Sequence, residues 1–211
     1  MDYVLDASTI EAHSLTFKVE IVQDNDSGKP WKECEGFGPV REAEKGYYDR
    51  YLTKKPGERV LHLGDRNCYS WVYDWQGAIA LAKRDDWGVS PENRPDNWEK
   101  LSAKQQREIA VQHDFDFLKA WCDEDWVWSG ICVTLLIEGE DGDLAPYDGD
   151  LDLSDSLWSV EFWQYKNLDD AKNSHAKSVV TEMIDHIAKT YLAEQAERLA
   201  CEERNIVTVA A

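Results

Sequence analysis

Between Ala120 and Tyr165 the chain has no lysine and no arginine. That absence excludes the stretch as a direct ligand for nucleic acid, because phosphate binding works through basic side chains that displace condensed counterions. No segment reaches the roughly 18 consecutive apolar residues of a membrane span, so no membrane association is expected. The N-terminus, MDYVLDASTIEAH, has neither a basic start nor an apolar run, and a secretory signal is therefore not expected. The five cysteines, Cys34, Cys68, Cys122, Cys132 and Cys201, are odd in number and form no CxxC pair. Such usage fits reduced thiols in a cytoplasm better than a disulfide framework. There is no Gly-rich phosphate loop, no G-x-S-x-G elbow and no HExxH. The expectation is a non-enzymatic cytoplasmic protein without cofactor or metal.

What fills the base-free stretch is acid. Twelve of the 42 Asp and Glu residues lie between Ala120 and Tyr165, so it carries −12 of a formal net charge of −19. The rest of the chain is closer to balance. With 43% hydrophobic residues, ten Trp and nine Tyr, the chain is too apolar to be a disordered acidic tail. A folded acidic body attracts basic partners, including the nucleic-acid-binding surfaces of other proteins.

Taken in order, residues 1–12 read as a loose or short helical lead. Leu15, Phe17, Val19 and Ile21 alternate with Thr16, Lys18 and Glu20, the period of a half-buried strand, which ends in the turn chemistry of Asp24–Gly28. Residues 29–57 read as a long loop pinned by Trp31, Phe37, Tyr47, Tyr48 and Tyr51. Glu58–Leu63 and Tyr69–Tyr73 make a hairpin around Gly64–Asn67. Asp74 caps a helix over Gln76–Trp87 that Gly88 stops. After a connector marked by Pro91 and Pro95, Ser102 and Gln105 form a capping box for a helix that ends near Asp123. Two apolar runs, Val127–Ile137 and Leu157–Trp163, enclose the acidic segment as a hairpin. A last helix spans 175–204, with Val180, Met183, Ile184, Ile187, Tyr191 and Leu192 at helical spacing, and Ile206–Val209 form an edge strand. The architecture expected is one α+β domain over 1–211: an antiparallel sheet of about five strands with two to three helices packed on one face.

The chemistry offered by these residues is sparse. Asp148, Asp150 and Asp152 have the first spacings of a calcium loop, but Leu153 stands where the loop needs glycine and Ser159 where it needs glutamate. Histidines 13, 62, 113, 175 and 186 are dispersed. A dyad of Cys68 with His62 or His113 has no positive signal in the sequence. Trp71, Trp75, Trp126, Trp128, Trp158 and Trp163 lack the basic neighbours of a base-stacking platform and read as core and interface residues. If Asp148, Asp150 and Asp152 lie on a strand, alternate carboxylates on one face stand roughly 6.6–6.8 Å apart. That is about every second step of a duplex backbone, whose phosphates advance about 3.4 Å per strand step.

Three segments carry a resemblance: GDRNCYSWVYDWQGAIALAKRDDWG from Gly64 to Gly88, HDFDFLKAWCDEDWVWSGICVTLL from His113 to Leu136, and SLWSVE from Ser156 to Glu161. Together they resemble a group of small acidic proteins encoded by bacteriophages, prophages and plasmids. The resemblance supplies no catalytic residues. In charge character the chain is similar to DNA-mimic antirestriction and anti-CRISPR proteins, whose carboxylates stand in for phosphates. It implies a counter-defence inhibitor that binds a basic nucleic-acid-binding protein or complex of the host bacterial cytoplasm. The partner-binding residues expected are Asp123, Glu124, Asp125, Glu138, Glu140, Asp141, Asp143, Asp148, Asp150, Asp152 and Asp155, with Trp126 and Tyr147 as anchors. The competing expectation is an assembly module, a homodimer formed through Met183, Ile187, Tyr191 and Leu192 of the C-terminal helix.

Overall fold

Strands come in runs of two or three separated by helices, and the long last helix follows a base-free passage of sheet. A computed structural model describes residues 3–43, 54–64, 70–139, 141–149 and 151–209. Among them the strands are β1 (Val4–Ala12), β2 (Leu15–Gln23), β3 (Val40–Ala43), β4 (Glu58–His62), β5 (Ser70–Asp74), β6 (Trp126–Glu138), β7 (Leu144–Pro146) and β8 (Ser154–Trp163). The α-helices are α1 (Pro30–Glu33), α2 (Trp75–Arg84), α3 (Ala103–Cys122) and α4 (Ser174–Val209). The fold is mixed α+β, as the sequence pattern implies. Its residues fall into two compact units: Met1–Asp26 with Val127–Ala211, and Ser27–Trp126.

The first unit holds the five-stranded antiparallel sheet, in the order β1-β2-β6-β7 with β8 also on β6. Phe17, Val19 and Ile21 of β2 stand opposite Leu135, Val133 and Ile131 of β6, so one face of both strands is apolar throughout. Val160 and Phe162 of β8 continue it. Against that face lies α4, whose Ala176, Val179, Val180, Met183, Ile184, Ile187 and Ala188 recur at three- and four-residue steps and are buried. Phe162 is fully buried, and truncating it to alanine would cost about 3–5 kcal/mol. His13 and Ser14, at φ +53° and +61°, form the two-residue turn that fits the twist of a hairpin. His13 Nε2 donates to Asp185 Oδ1 on α4 at 2.7 Å.

Two expectations are corrected in this unit. Residues 4–12, expected as a helical lead, are strand β1, paired from Val4–Val22 to Ala12–Leu15 with one irregularity near Leu5. Helix α4 continues through residues 206–209, where an edge strand was expected.

In the second unit β5 is the centre of a three-stranded antiparallel sheet, flanked by β3 and β4. Helices α2 and α3 cover it with Ala78, Ala82, Val111 and Leu118, packed on Leu61 and Tyr73. The local signals read from sequence are realised here. Asp74 accepts from Gly77 N–H at 2.9 Å as the cap of α2, and Ser102 and Gln105 close the capping box of α3. The long loop expected over 29–57 contains α1 and β3. Tyr47, Tyr48, Tyr51 and the turn residues Asp65, Arg66 and Asn67 lie outside the described residues.

Candidate functional site

The two units share the charge unequally. The five-strand unit has 23 acidic and 7 basic residues, a formal −16, whereas the three-strand unit has 19 and 16, or −3. Self-repulsion at −16 destabilises a compact state. The acids of the first unit therefore need explaining.

Eight of the 23 lie between Glu138 and Asp155, where the chain leaves the end of β6. At the end of β6, Leu136, Ile137 and Glu138 pair with Pro146, Ala145 and Leu144 of β7. The connecting turn closes with Gly139 N–H donating to Asp143 O at 2.8 Å and Gly142 N–H to Gly139 O at 3.0 Å. Gly142 takes φ +84° there, a conformation glycine adopts without strain. Glu138, Asp141 and Asp143 are all exposed on this hairpin end. Leu135 then passes the edge of β6 from one neighbour to the next: its carbonyl accepts from Tyr147 N–H at 3.0 Å, and its own N–H donates to Leu153 O at 3.1 Å. The chain between Tyr147 and Leu153 is thus an excursion whose two ends meet at a single residue of β6.

The expected strand of evenly spaced carboxylates is not what forms there. Asp148 is exposed and outside any strand, and Asp152 lies just before β8. Asp152 Oδ1 instead accepts from Ser154 Oγ at 2.7 Å and Ser154 N–H at 3.1 Å. The hydroxyl, then the amide, hold its carboxyl below the ordinary aspartate value. Asp155 Oδ1 accepts from Ser156 N–H at 2.8 Å. Short acidic side chains next to Ser and Gly satisfy local amides in turns more readily than they join a ladder. Glu140 and Asp150 lie outside the described residues.

Tyr147, expected as an anchor for a partner, is an internal anchor. It is half-buried against the core of the unit, its ring meets Tyr191 edge-on at 5.6 Å, and its hydroxyl donates to Glu194 Oε2 at 3.1 Å. A side chain at Gly149 would overlap the Tyr147 ring, so the acidic excursion folds back over it. The arrangement ties the excursion to α4 and leaves the carboxylates outside.

Asp123, Glu124 and Asp125 belong to the other unit, at the turn between α3 and β6. Asp123 pairs with Lys119 one turn earlier, which supplies the cation that a helix C-terminus favours. Glu124 takes φ +60°. Trp126, the other expected anchor, is fully buried. Its ring is 4.5 Å from Phe117 and its Nε1–H donates to Phe117 O at 2.9 Å, so it is a core residue.

Three of the four residues expected to carry assembly are committed within the unit. Met183 and Ile187 are buried in the unit's own core and Tyr191 packs against it, so they have no surface to offer a second helix. Leu192 is exposed.

Among the described residues no group of three or more His, Cys, Asp or Glu is placed to hold a metal. Cys68 lies outside them. His62 packs at a tilt against Trp71, the ring centroids 5.2 Å apart. Burial pushes the Cys122 thiol up to about 12, which keeps it protonated and poorly nucleophilic at neutral pH. Sequence reasoning missed two buried ionic sites of the three-strand unit. Asp114 accepts from Tyr73 Oη at 2.5 Å and Gly38 N–H at 3.0 Å, and burial raises its carboxyl above the ordinary value. Glu58 accepts both arms of Arg41. Neither has a sequence signature, because each side-chain partner lies at least 17 residues away. No family model, curated protein or solved structure matches the chain.

Proposed function

We propose that the protein is a counter-defence inhibitor of the antirestriction or anti-CRISPR kind, which binds a basic nucleic-acid-binding surface of a host defence complex in the bacterial cytoplasm and blocks it as a nucleic-acid mimic. The observation that carries this reading is the segregation of charge: −16 in one unit, with 46 consecutive residues from Ala120 to Tyr165 lacking any base. Glu138, Asp141 and Asp143 are exposed on the β6–β7 hairpin and Asp148 on the passage pinned to β6 at Leu135, so their charge stands on a framework rather than on a tail. Preorganised charge of this kind speeds encounter with a basic partner and discriminates against acidic ones. Asp152 and Asp155 add charge at the start of β8. The reading assigns no catalytic step, no cofactor and no direct contact with nucleic acid.

The test is retention of host proteins on immobilised protein at low and high salt. Recovery of one nuclease or nucleic-acid-guided complex, lost at high salt and competed by DNA or RNA, is the expected result. Unchanged retention by a variant carrying Glu138→Gln, Asp141→Asn, Asp143→Asn and Asp148→Asn would sink the proposal.

A second reading, self-assembly, keeps one observation in its favour. Leu192 and Leu199, two helical turns apart on α4, are 49% and 61% exposed. A monomeric mass by light scattering at high protein concentration excludes it.

A further inference from the structure

Trp158 is held half-exposed on a seat the chain makes for it. Residues 131, 133 and 135 of β6 face the core, so Gly130 faces the opposite side of the sheet. A β-carbon at Gly130 would lie 2.5 Å from the Trp158 ring, and the indole therefore rests flat against the strand backbone. One residue on, Ser159 takes φ +62°, a conformation L-residues avoid. Its N–H donates to Asp24 Oδ2 at 3.3 Å, while Asp24 Oδ1 accepts from Asp26 N–H at 3.0 Å. Glycine inside a central strand and a left-handed serine each lower stability. Their joint effect is to leave Trp158 48% and Leu157 45% exposed, with the ring already immobilised. A rigid aromatic that loses little entropy on contact is the kind of residue that dominates binding energy.

From these residues the geometry points to Trp158 as the anchor for an arginine-rich segment of a basic partner protein, a guanidinium stacking on the open indole face beside Asp24 and Asp26. The inference rests on the proposed function and deepens it by naming where specific recognition occurs. Charge complementarity selects the occupant: a unit with 23 acids and 7 bases repels nucleic acid and a second copy of itself alike. A planar guanidinium stacks on indole better than an ammonium does, and it forks onto carboxylates as well. The chain already pairs some of its indoles with cations. Lys172 Nζ stands 3.7 Å over Trp163 and the Arg59 guanidinium 3.2 Å over Trp75. Leu157, next to Trp158, offers apolar surface to the aliphatic stem of the incoming side chain.

The test uses the full chain and two fluorescein-labelled probes, nona-arginine and nona-lysine, titrated at low salt and followed by anisotropy. The unaltered protein binds nona-arginine more tightly than Trp158→Ala does, by about two- to five-fold, with nona-lysine changed less. Gly130→Ala, whose new β-carbon displaces the ring without removing it, gives the same loss of arginine preference. Thermal unfolding confirms that both variants are folded. An arginine preference that survives Trp158→Ala overturns the inference and leaves charge-driven binding standing. Failure of the unaltered protein to bind either peptide overturns the proposed function and the inference together.

Discussion

Arg41 and Glu58 face each other across β5, one on β3 and the other on β4, and the cost of separating them is unequal between the partners. Arg41 Nε and Nη2 donate to the two carboxylate oxygens at 2.6 Å each, and Lys55 N–H donates to Oε2 at 2.6 Å. The Glu58 side chain is 5% exposed and that of Arg41 36%. In Arg41→Met the buried carboxylate keeps only the Lys55 amide, and removing one partner of a buried pair costs about 3–5 kcal/mol. In Glu58→Gln the guanidinium turns to water and a neutral acceptor remains, so the loss is about 1–2 kcal/mol. Replacing both, as Arg41→Met with Glu58→Leu, restores most of the stability, to within about 1–2 kcal/mol of the parent. Urea unfolding followed by tryptophan fluorescence measures all three. The Arg41 fork is the main cause that holds the Glu58 carboxyl below its ordinary value. Its contribution is therefore present above the ordinary carboxylate range and lost as pH falls through the lowered value. The parent and Glu58→Gln thus converge in stability in acid. The reasoning fails if Arg41→Met is cheaper than Glu58→Gln, or if the double variant is as unstable as Arg41→Met.

Asp114 has the opposite sign: burial raises its carboxyl, so the native state is relieved of a buried charge as pH falls toward the ordinary aspartate range. The stability lost in Asp114→Asn is accordingly larger at pH 4 than at pH 7, and a loss independent of pH contradicts this. Trp126→Phe forfeits the hydrogen bond to Phe117 O and costs about 1–3 kcal/mol, yet leaves partner retention per folded molecule unchanged. Reduced retention in folded Trp126→Phe restores its role as an anchor. Neutralising Glu138, Asp141, Asp143 and Asp148 together leaves the urea midpoint unchanged or raises it, because solvated like charges repel; a lowered midpoint means these carboxylates hold the fold.

The elements legible in the sequence are those whose pattern has one cause. Strand β2 alternates because one face is buried, and β6 carries matching residues because it lies opposite. The caps at Asp74 and Ser102 act within four residues and need no tertiary partner. Strand β1 was hidden for a different reason. Asp6, Ser8, Ile10 and Ala12 stand opposite Ile21, Val19, Phe17 and Leu15, so three of these four positions are polar or small and the period is blurred. The end of α4 was misread because Ile206, Val207 and Val209 are β-branched, a weak local preference that continuation of a long helix overrides. At the candidate site the acids were legible as charge. Their conformation was not, since the same Asp that continues a strand can satisfy its own turn, as Asp152 does with Ser154. Trp158 was legible only as one more aromatic, because its exposure depends on Gly130, 28 positions earlier.

The meeting of Tyr147 and Leu153 at Leu135 bears on how such a protein can change. A passage that departs from and rejoins the framework at one residue can lengthen, shorten or exchange its content without shifting the register of any strand, since each doubling of loop length adds only about 0.6 kcal/mol. The sheet and α4 then persist while the passage drifts. Foreign peptides of several lengths grafted between Tyr147 and Leu153 should be accepted for the same reason.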